Sequence, residues 1–226
     1  MKQHITNSIE ILRKLQVASG LFRAAPAEGT GYHQAWIRDT VYQALAMEKY
    51  DLQAAVKAYH GLLDALLKYA TVGNSGEEPE TVDLNQIIEI ALVNLKVRIE
   101  ETEATVEVGK MPKVRAYSSQ LTQLFQNLIG NAVKFRKPDV KPVIRVVCHD
   151  KGDRFLIKII DNGIGIPADA KSRVFDIFQR LHTRTEYEGT GIGLAICQKI
   201  VQRHGGEIGV DSEEGKGATF YFSLMK

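Results

Sequence analysis

NLIGNAVKF, residues 127–135, is the stretch on which the reading of this chain turns. Asn127, Asn131 and Lys134 recur at i, i+4 and i+7, which puts three polar groups on one face of a helix and leaves Leu124, Leu128 and Phe135 to a core. An amide oxygen is a hard ligand for Mg²⁺, which keeps waters and phosphate oxygens as its other partners. Lysine adds a mobile positive charge suited to phosphate. The bland alternative is a solvated helix face that happens to carry two asparagines.

Two further glycine-centred clusters follow, DNGIG at 161–165 and GTGIGL at 189–194. One such cluster marks little more than a turn, but three in order, each beside a polar group suited to a nucleotide, read as one site. Asp161 ends the apolar run 155–160, where a chain leaves a sheet and lines a cleft. Its carboxylate can accept from the exocyclic amino group of adenine, which guanine lacks in that position. An Asn-Gly turn with a locally bonded aspartate is the competing reading. Gly163 and Gly165 are expected to keep the loop clear of the ring. Gly189, Gly191 and Gly193, with Thr190 and Leu194 among them, introduce a helix expected over 191–204 and stopped by Gly205. Amides exposed at a helix N-terminus, together with the helix dipole, bind anions, and here the anion is a triphosphate.

Around these clusters the pattern is mixed. Residues 84–99 and 119–135 carry helical stripes, 143–148 and 155–160 read as strands joined by a hairpin, and 207–212 and 218–224 form a closing hairpin. Helices with mainly antiparallel strands give an α+β fold, a two-layer α/β sandwich.

From about residue 82 to 224 this order of motifs resembles the ATP-binding domain of sensor histidine kinases, a GHKL-type domain of the Bergerat fold, with N, G1, F and G2 boxes. FQRLHTR at 178–184 and EGTGIGLAICQKIVQRHGG after it are similar to the phytochrome-type branch. The resemblance implies ATP and Mg²⁺ as ligands, Asn131 as metal ligand, Lys134 as phosphate contact, Asp161 as adenine contact, and the glycines of 163–165 and 189–193 around the nucleotide. It makes 167–188 an ATP lid anchored by Phe175 and Phe178. Arg180 within it is either a phosphate contact or ordinary surface charge. ATPase relatives place a glutamate as general base four residues before the metal asparagine. This chain has Asn127 there, which implies a site that holds ATP rather than hydrolyses it. The implied setting is cytoplasmic two-component signalling, with a histidine-bearing helical hairpin, a response regulator and a homodimer as partners.

A kinase of this kind needs an acceptor histidine followed by an acid, with a proline a few residues on. His4, His33 and His60 all lack that neighbour, so the acceptor is expected in trans or from another segment. Before residue 72 three amphipathic helical patterns occur, the clearest with Leu52, Ala55, Tyr59, Leu62, Leu66 and Ala70 on one face. Residues 19–46, with Trp36, Arg38 and Asp39, resemble the start of a glucoamylase-like or phosphorylase kinase α-like helical barrel. The glycosidase's pair of carboxylates is not recognisable there. Residues 1–71 thus read as a helical segment, 72–81 as a polar linker and 82–226 as the ATP-binding domain. A non-catalytic ATP-binding module, or a fusion of two unrelated parts, is the alternative organisation.

At 226 residues, 44% hydrophobic and 25% charged, the composition is that of a globular protein. The formal net charge of +2 gives no global pull toward nucleic acid or membrane. No apolar run approaches the roughly 20 residues of a membrane span. Cys148 and Cys197 lie in apolar runs without metal-ligand spacing and read as core residues of a reducing compartment.

Overall fold

The structure is a computed structural model that describes residues 63, 66, 67, 69–72, 78–179 and 190–226. The three helical patterns of 5–70, the glucoamylase-like stretch, Arg180 and Gly189 lie outside the described residues, save a few positions of the third helix. Two compact units are present, Met1–Ala70 and Thr71–Lys226. All elements named below belong to the second.

That unit runs β1 (Glu80–Asp83), α1 (Leu84–Glu101), β2 (Thr105–Val108), β3 (Lys113–Ala116), α2 (Ser118–Lys134), β4 (Val143–Asp150), β5 (Arg154–Asp161), α3 (Gly193–Arg203), β6 (Ile208–Glu213) and β7 (Gly217–Met225). Five strands form one sheet in the order β2-β4-β5-β7-β6, antiparallel except for the parallel pair β2 and β4. β1 and β3 make a separate antiparallel ribbon. The expected two-layer α+β sandwich is the observed fold.

Alternation along the strands aims one row at the helices: Ile144 and Val146 of β4, Ile157 and Ile159 of β5, Phe220 and Phe222 of β7. α2 answers with Leu121, Leu124, Phe125, Leu128 and Ile129, all fully buried. The Phe125 and Phe222 rings meet edge to face, 5.7 Å between centroids. α1 packs on α2 and α2 on α3, so the N-box helix sits mid-layer, over β4 and β5.

Local chemistry fixes the helix ends. Asp83 Oδ1 accepts from the Asn85 N–H at 2.9 Å and caps α1, while the Asn85 side chain exchanges hydrogen bonds with the Met111 backbone. α3 ends in a Schellman motif: Gly206 N–H donates to Val201 C=O and Gly205 N–H to Gln202 C=O, with Gly205 at φ +69°.

Three differences from the sequence reading have physical causes. β1 already occupies Glu80 and Thr81, assigned above to the linker, because they pair with Ala116 and Arg115. β2 and β3 went unread because each is four residues long, β2 largely exposed and β3 burying only Val114 and Ala116, so neither carries an apolar run. α3 starts at Gly193 rather than 191, since Gly191 has the left-handed φ of +71°, which a helix does not accept.

At the end of α3, His204 ties the helix layer together. Its Nε2 accepts from the Tyr117 N–H at 3.1 Å, so Nδ1 carries the proton and donates to the Ile200 carbonyl at 2.8 Å. Burial lowers its pKa below the ordinary 6.5; adjacent Arg203 adds to this, while the bond to Ile200 opposes it. The folded state therefore binds the proton less well than the unfolded chain. The ring's contribution to stability is complete above the ordinary value and is lost as pH falls through the lower native value, by at most about 1.4 kcal/mol per pH unit. Urea unfolding followed across this window is expected to show that slope in the wild type and a flatter one in His204→Gln.

Candidate functional site

The ends of α2, β5 and β7 and the start of α3 enclose a cavity of about 390 Å³. Asn127, Asn131, Lys134 and Phe135 line it from α2, as their shared helix face requires. Asp161 and Gly165 line it from the exit of β5, and Thr190, Gly191, Gly193 and Leu194 from the approach to α3. Sequence clusters more than sixty residues apart thus share one wall.

Asp161 is held by its surroundings. Its Oδ1 accepts from the N–H groups of Gly163 at 2.8 Å and Ala218 at 3.1 Å, which leaves Oδ2 for the cavity. Burial pushes the carboxyl above its usual range, and those two backbone donors pull it partway back. The competing turn reading holds in part, since the bond from Gly163 N–H to the Asp161 carboxylate is local, two residues on, while Asn162 accepts from Val143 N–H at 2.9 Å and donates to Lys141 C=O at 3.1 Å, which ties the loop to the start of β4.

Gly163 and Gly165 act differently from the expectation that they clear space for a ring. A Cβ on Gly163 would run into the Phe135 carbonyl, and one on Gly165 into the Glu213 carbonyl. Both glycines serve close backbone approach: Ile164 N–H donates to Phe135 C=O at 3.0 Å, and Gly215 N–H to Ile164 C=O at 2.7 Å. Gly165 reaches the cavity as well, whereas Gly163 supports it from behind.

Asn127 bridges the two phosphate-side elements, its Nδ2 donating to the Gly193 carbonyl at 3.2 Å. α3 begins after Ile192 without any side-chain cap, so its first amides are open to an anion in the cavity where Gly193 and Leu194 stand. Lys134 rests its Nζ 4.1 Å from the centroid of the Phe135 ring.

Of the two lid-anchoring phenylalanines, Phe178 is buried at 6% exposure and holds a φ of +66°, rare for an aromatic residue. Its N–H donates to Gly191 C=O at 2.9 Å, which ties Phe178 to the approach to α3. Phe175 packs edge to face on Phe220, itself a cavity residue.

Neither cysteine lines the cavity, and the Cys197 thiol makes a side-chain hydrogen bond with Asn127. Cys197 is fully buried, which pushes its thiol to about 12, and Cys148 is raised by partial burial. No group of three His, Cys, Asp or Glu side chains suited to a metal occurs among the described residues. Nor, among those residues, is any helix long and apolar enough to cross a membrane.

Residues 116–226, the part that builds this cavity, match the family model for histidine kinase-, DNA gyrase B- and HSP90-like ATPases. That part of the chain is a domain of this type. The chain is 48% identical over 163 residues to the phytochrome-like protein Cph1 of Synechocystis sp., and 47% identical over 163 residues to cyanobacterial phytochrome A of Nostoc sp.. Each match covers 72% of this chain but only 22% and 21% of those proteins, so the chain spans about a fifth of their length. Among solved structures, the mycobacterial sensor histidine kinase MprB superposes with a TM-score of 0.55 at 28% identity, over 65% of this chain and 97% of that one. The domain is thus of the ATP-binding, histidine-kinase type, and the similarity to phytochromes agrees with the reading of 178–206.

Sequence reasoning missed several cavity residues, among them Arg98, Gln126, Gly130, Ile164 and Phe220. Gly130 and Ile164 lie inside quoted motifs and could have been found there. Arg98 carries no motif signal, because α1 contains none of the boxes.

Proposed function

We propose that this chain is the catalytic, ATP-binding part of a cytoplasmic two-component sensor histidine kinase, which moves the γ-phosphoryl group of ATP to a histidine. The observation that carries this is the convergence of Asn131, Lys134, Asp161 and the uncapped start of α3 on one cavity. Asp161 Oδ2 accepts from the adenine amino group, and the first amides of α3 cradle phosphate. Residues 80–226, from β1 onward, act as the ATP-binding domain, the residues from 72 to 79 link it to the helical segment 1–71, and Arg180 and Gly189 complete the phosphate side.

The donor set suits Mg²⁺: one neutral amide oxygen at Asn131, with lysine beside it, matches an ion that takes most of its ligands from water and phosphate. When bound, the ion neutralises charge on the phosphates. Asn131 orients it, Lys134 supplies a further positive charge, and Asn127 holds α3 against α2 so that the amides stay aimed. With Asn127 in place of a carboxylate base, the chain holds ATP for an incoming imidazole rather than activating water.

The acceptor is a histidine on a helical hairpin supplied by another chain or another segment, and a response regulator receives the phosphoryl group next. A homodimer brings hairpin and domain together. A second reading, a non-catalytic ATP-binding module, is favoured by one observation, the lack of an acid beside His4, His33 and His60. Incubation with γ-labelled ATP, with and without a separate histidine-bearing hairpin, decides between them. Acid-labile label is expected on the hairpin and not on the chain. No label on any of several kinase hairpins would support the binding module, and stoichiometric label lost in His60→Gln would show a self-contained kinase.

A further inference from the structure

The cavity has a cationic rim that none of the boxes supplies. Arg98 stands in the last turn of α1, and its side chain lines the cavity together with Gly130, Asn131 and Lys134 of α2. The approach of α1 to α2 explains how a residue of that helix gets there. A Cβ added at Gly130 would lie 3.4 Å from Leu95 Cδ2, so the Leu95 side chain of α1 packs directly on the bare backbone of α2 at Gly130. Arg98, one turn beyond Leu95, then reaches the cavity over a wall that is only backbone at Gly130.

The charges around it differ in their engagement. Lys96 pairs with Glu100 at 3.8 Å. The Arg98 guanidinium has no ion pair or hydrogen bond with any described residue, while its backbone carbonyl accepts from the Thr102 hydroxyl. A basic residue in the last turn of a helix also complements the helix dipole, and that role would be purely structural.

Charge and position select the ligand group. The adenine end of the site is fixed at Asp161, and the α3 amides stand on the other side of α2 from α1. An exposed cation on the α1 side, beside the metal asparagine and the phosphate lysine, meets the part of the nucleotide furthest from the base. Guanidinium presents several donors in a fixed fork that matches phosphate oxygens, and it keeps its charge at any working pH.

We propose that Arg98 is a phosphate-recognition residue of this site, contacting the terminal phosphate and setting the preference for nucleoside triphosphate over diphosphate. The proposal rests on the adenine-nucleotide reading given above. Because the side chain is exposed, its attraction is moderate and screened by salt.

The test is a titration of the full chain with Mg-ATP, Mg-ADP and adenosine, at low and high salt, for wild type, Arg98→Gln and Arg98→Lys. In Arg98→Gln, ATP affinity is expected to fall about fivefold at low salt, as for a favourable exposed ion pair. ADP should fall much less and adenosine not at all, with high salt shrinking the difference. Arg98→Lys should recover part of the loss. An ATP-to-ADP ratio unchanged in Arg98→Gln overturns the proposal, whether or not the thermal midpoint moves, because a dipole-capping residue alters stability and leaves that ratio alone. Equal loss of all three ligands overturns it too. Failure of the wild type to bind any of them contradicts the nucleotide reading itself, a result separable from the other two.

Discussion

Asp161→Asn is expected to abolish adenine recognition while leaving the domain as stable as the wild type or more so. The two effects separate because the carboxylate's oxygens do different work. Oδ1 accepts from Gly163 and Ala218, and an asparagine oxygen can accept from both in the same place. Oδ2 serves the cavity, and an amide NH₂ in its position would face the adenine amino group donor against donor. Losing one hydrogen bond to a charged group costs about 2 kcal/mol, and the unpaired donors add to it, so ATP affinity should fall about 100-fold.

Stability moves the other way for a stated reason. Burial raises the native pKa of Asp161, so its contribution to stability is complete below the ordinary carboxylate value and is lost as pH rises through the native value. At neutral pH the ionised side chain is therefore a cost that asparagine removes, as expected where function holds a group in an unfavourable place. Nucleotide titration alongside urea unfolding checks both halves. Retained preference for ATP over GTP in this variant would remove Asp161 from its assigned role, and a lower unfolding midpoint would contradict the electrostatic account.

The second large effect is expected at Asn131. Alanine there deletes the proposed metal ligand and leaves the buried face of α2, Leu124, Leu128 and Ile129, intact. ATP affinity measured with Mg²⁺ should drop between about 10- and 100-fold, the range seen when the support of a bound metal is removed. Adenosine should bind as before, since only the phosphates need the ion. Chelation of Mg²⁺ should weaken ATP binding by the wild type and change little in the variant. Equal weakening of ATP and adenosine would instead place Asn131 near the base, against the account.

How much of this was legible in the chain depended on range. Where packing has a period, the residues announce it: the apolar and polar rows of α2 are visible in 119–135, and the helix occupies Ser118–Lys134. β4 and β5 were read from their Val and Ile content to within two residues at each end. The four-residue strands β1, β2 and β3 were not, because their pairing depends on neighbours distant in sequence and their buried side chains, Val82, Val114 and Ala116, are too few to make a pattern.

Motif chemistry was legible as identity and not always as cause. Asp161 was picked for its carboxylate, but the two amides that orient it come from Gly163 nearby and Ala218 in β7, and the second has no local signal. Gly163 and Gly165 were read as clearance for a ligand, whereas they admit the Phe135 and Glu213 carbonyls. Arg98 was invisible for a similar reason: α1 reads as an ordinary amphipathic helix, and only its packing across Gly130 brings that side chain to the cavity.

The most direct test is a crystal structure of the chain with Mg²⁺ and a non-hydrolysable ATP analogue. The account predicts the adenine amino group on Asp161 Oδ2, Mg²⁺ on Asn131 Oδ1, and phosphate oxygens on the first amides of α3. A nucleotide bound outside this cavity, or bound within it with its base at α3 and its phosphates at Asp161, would contradict the account.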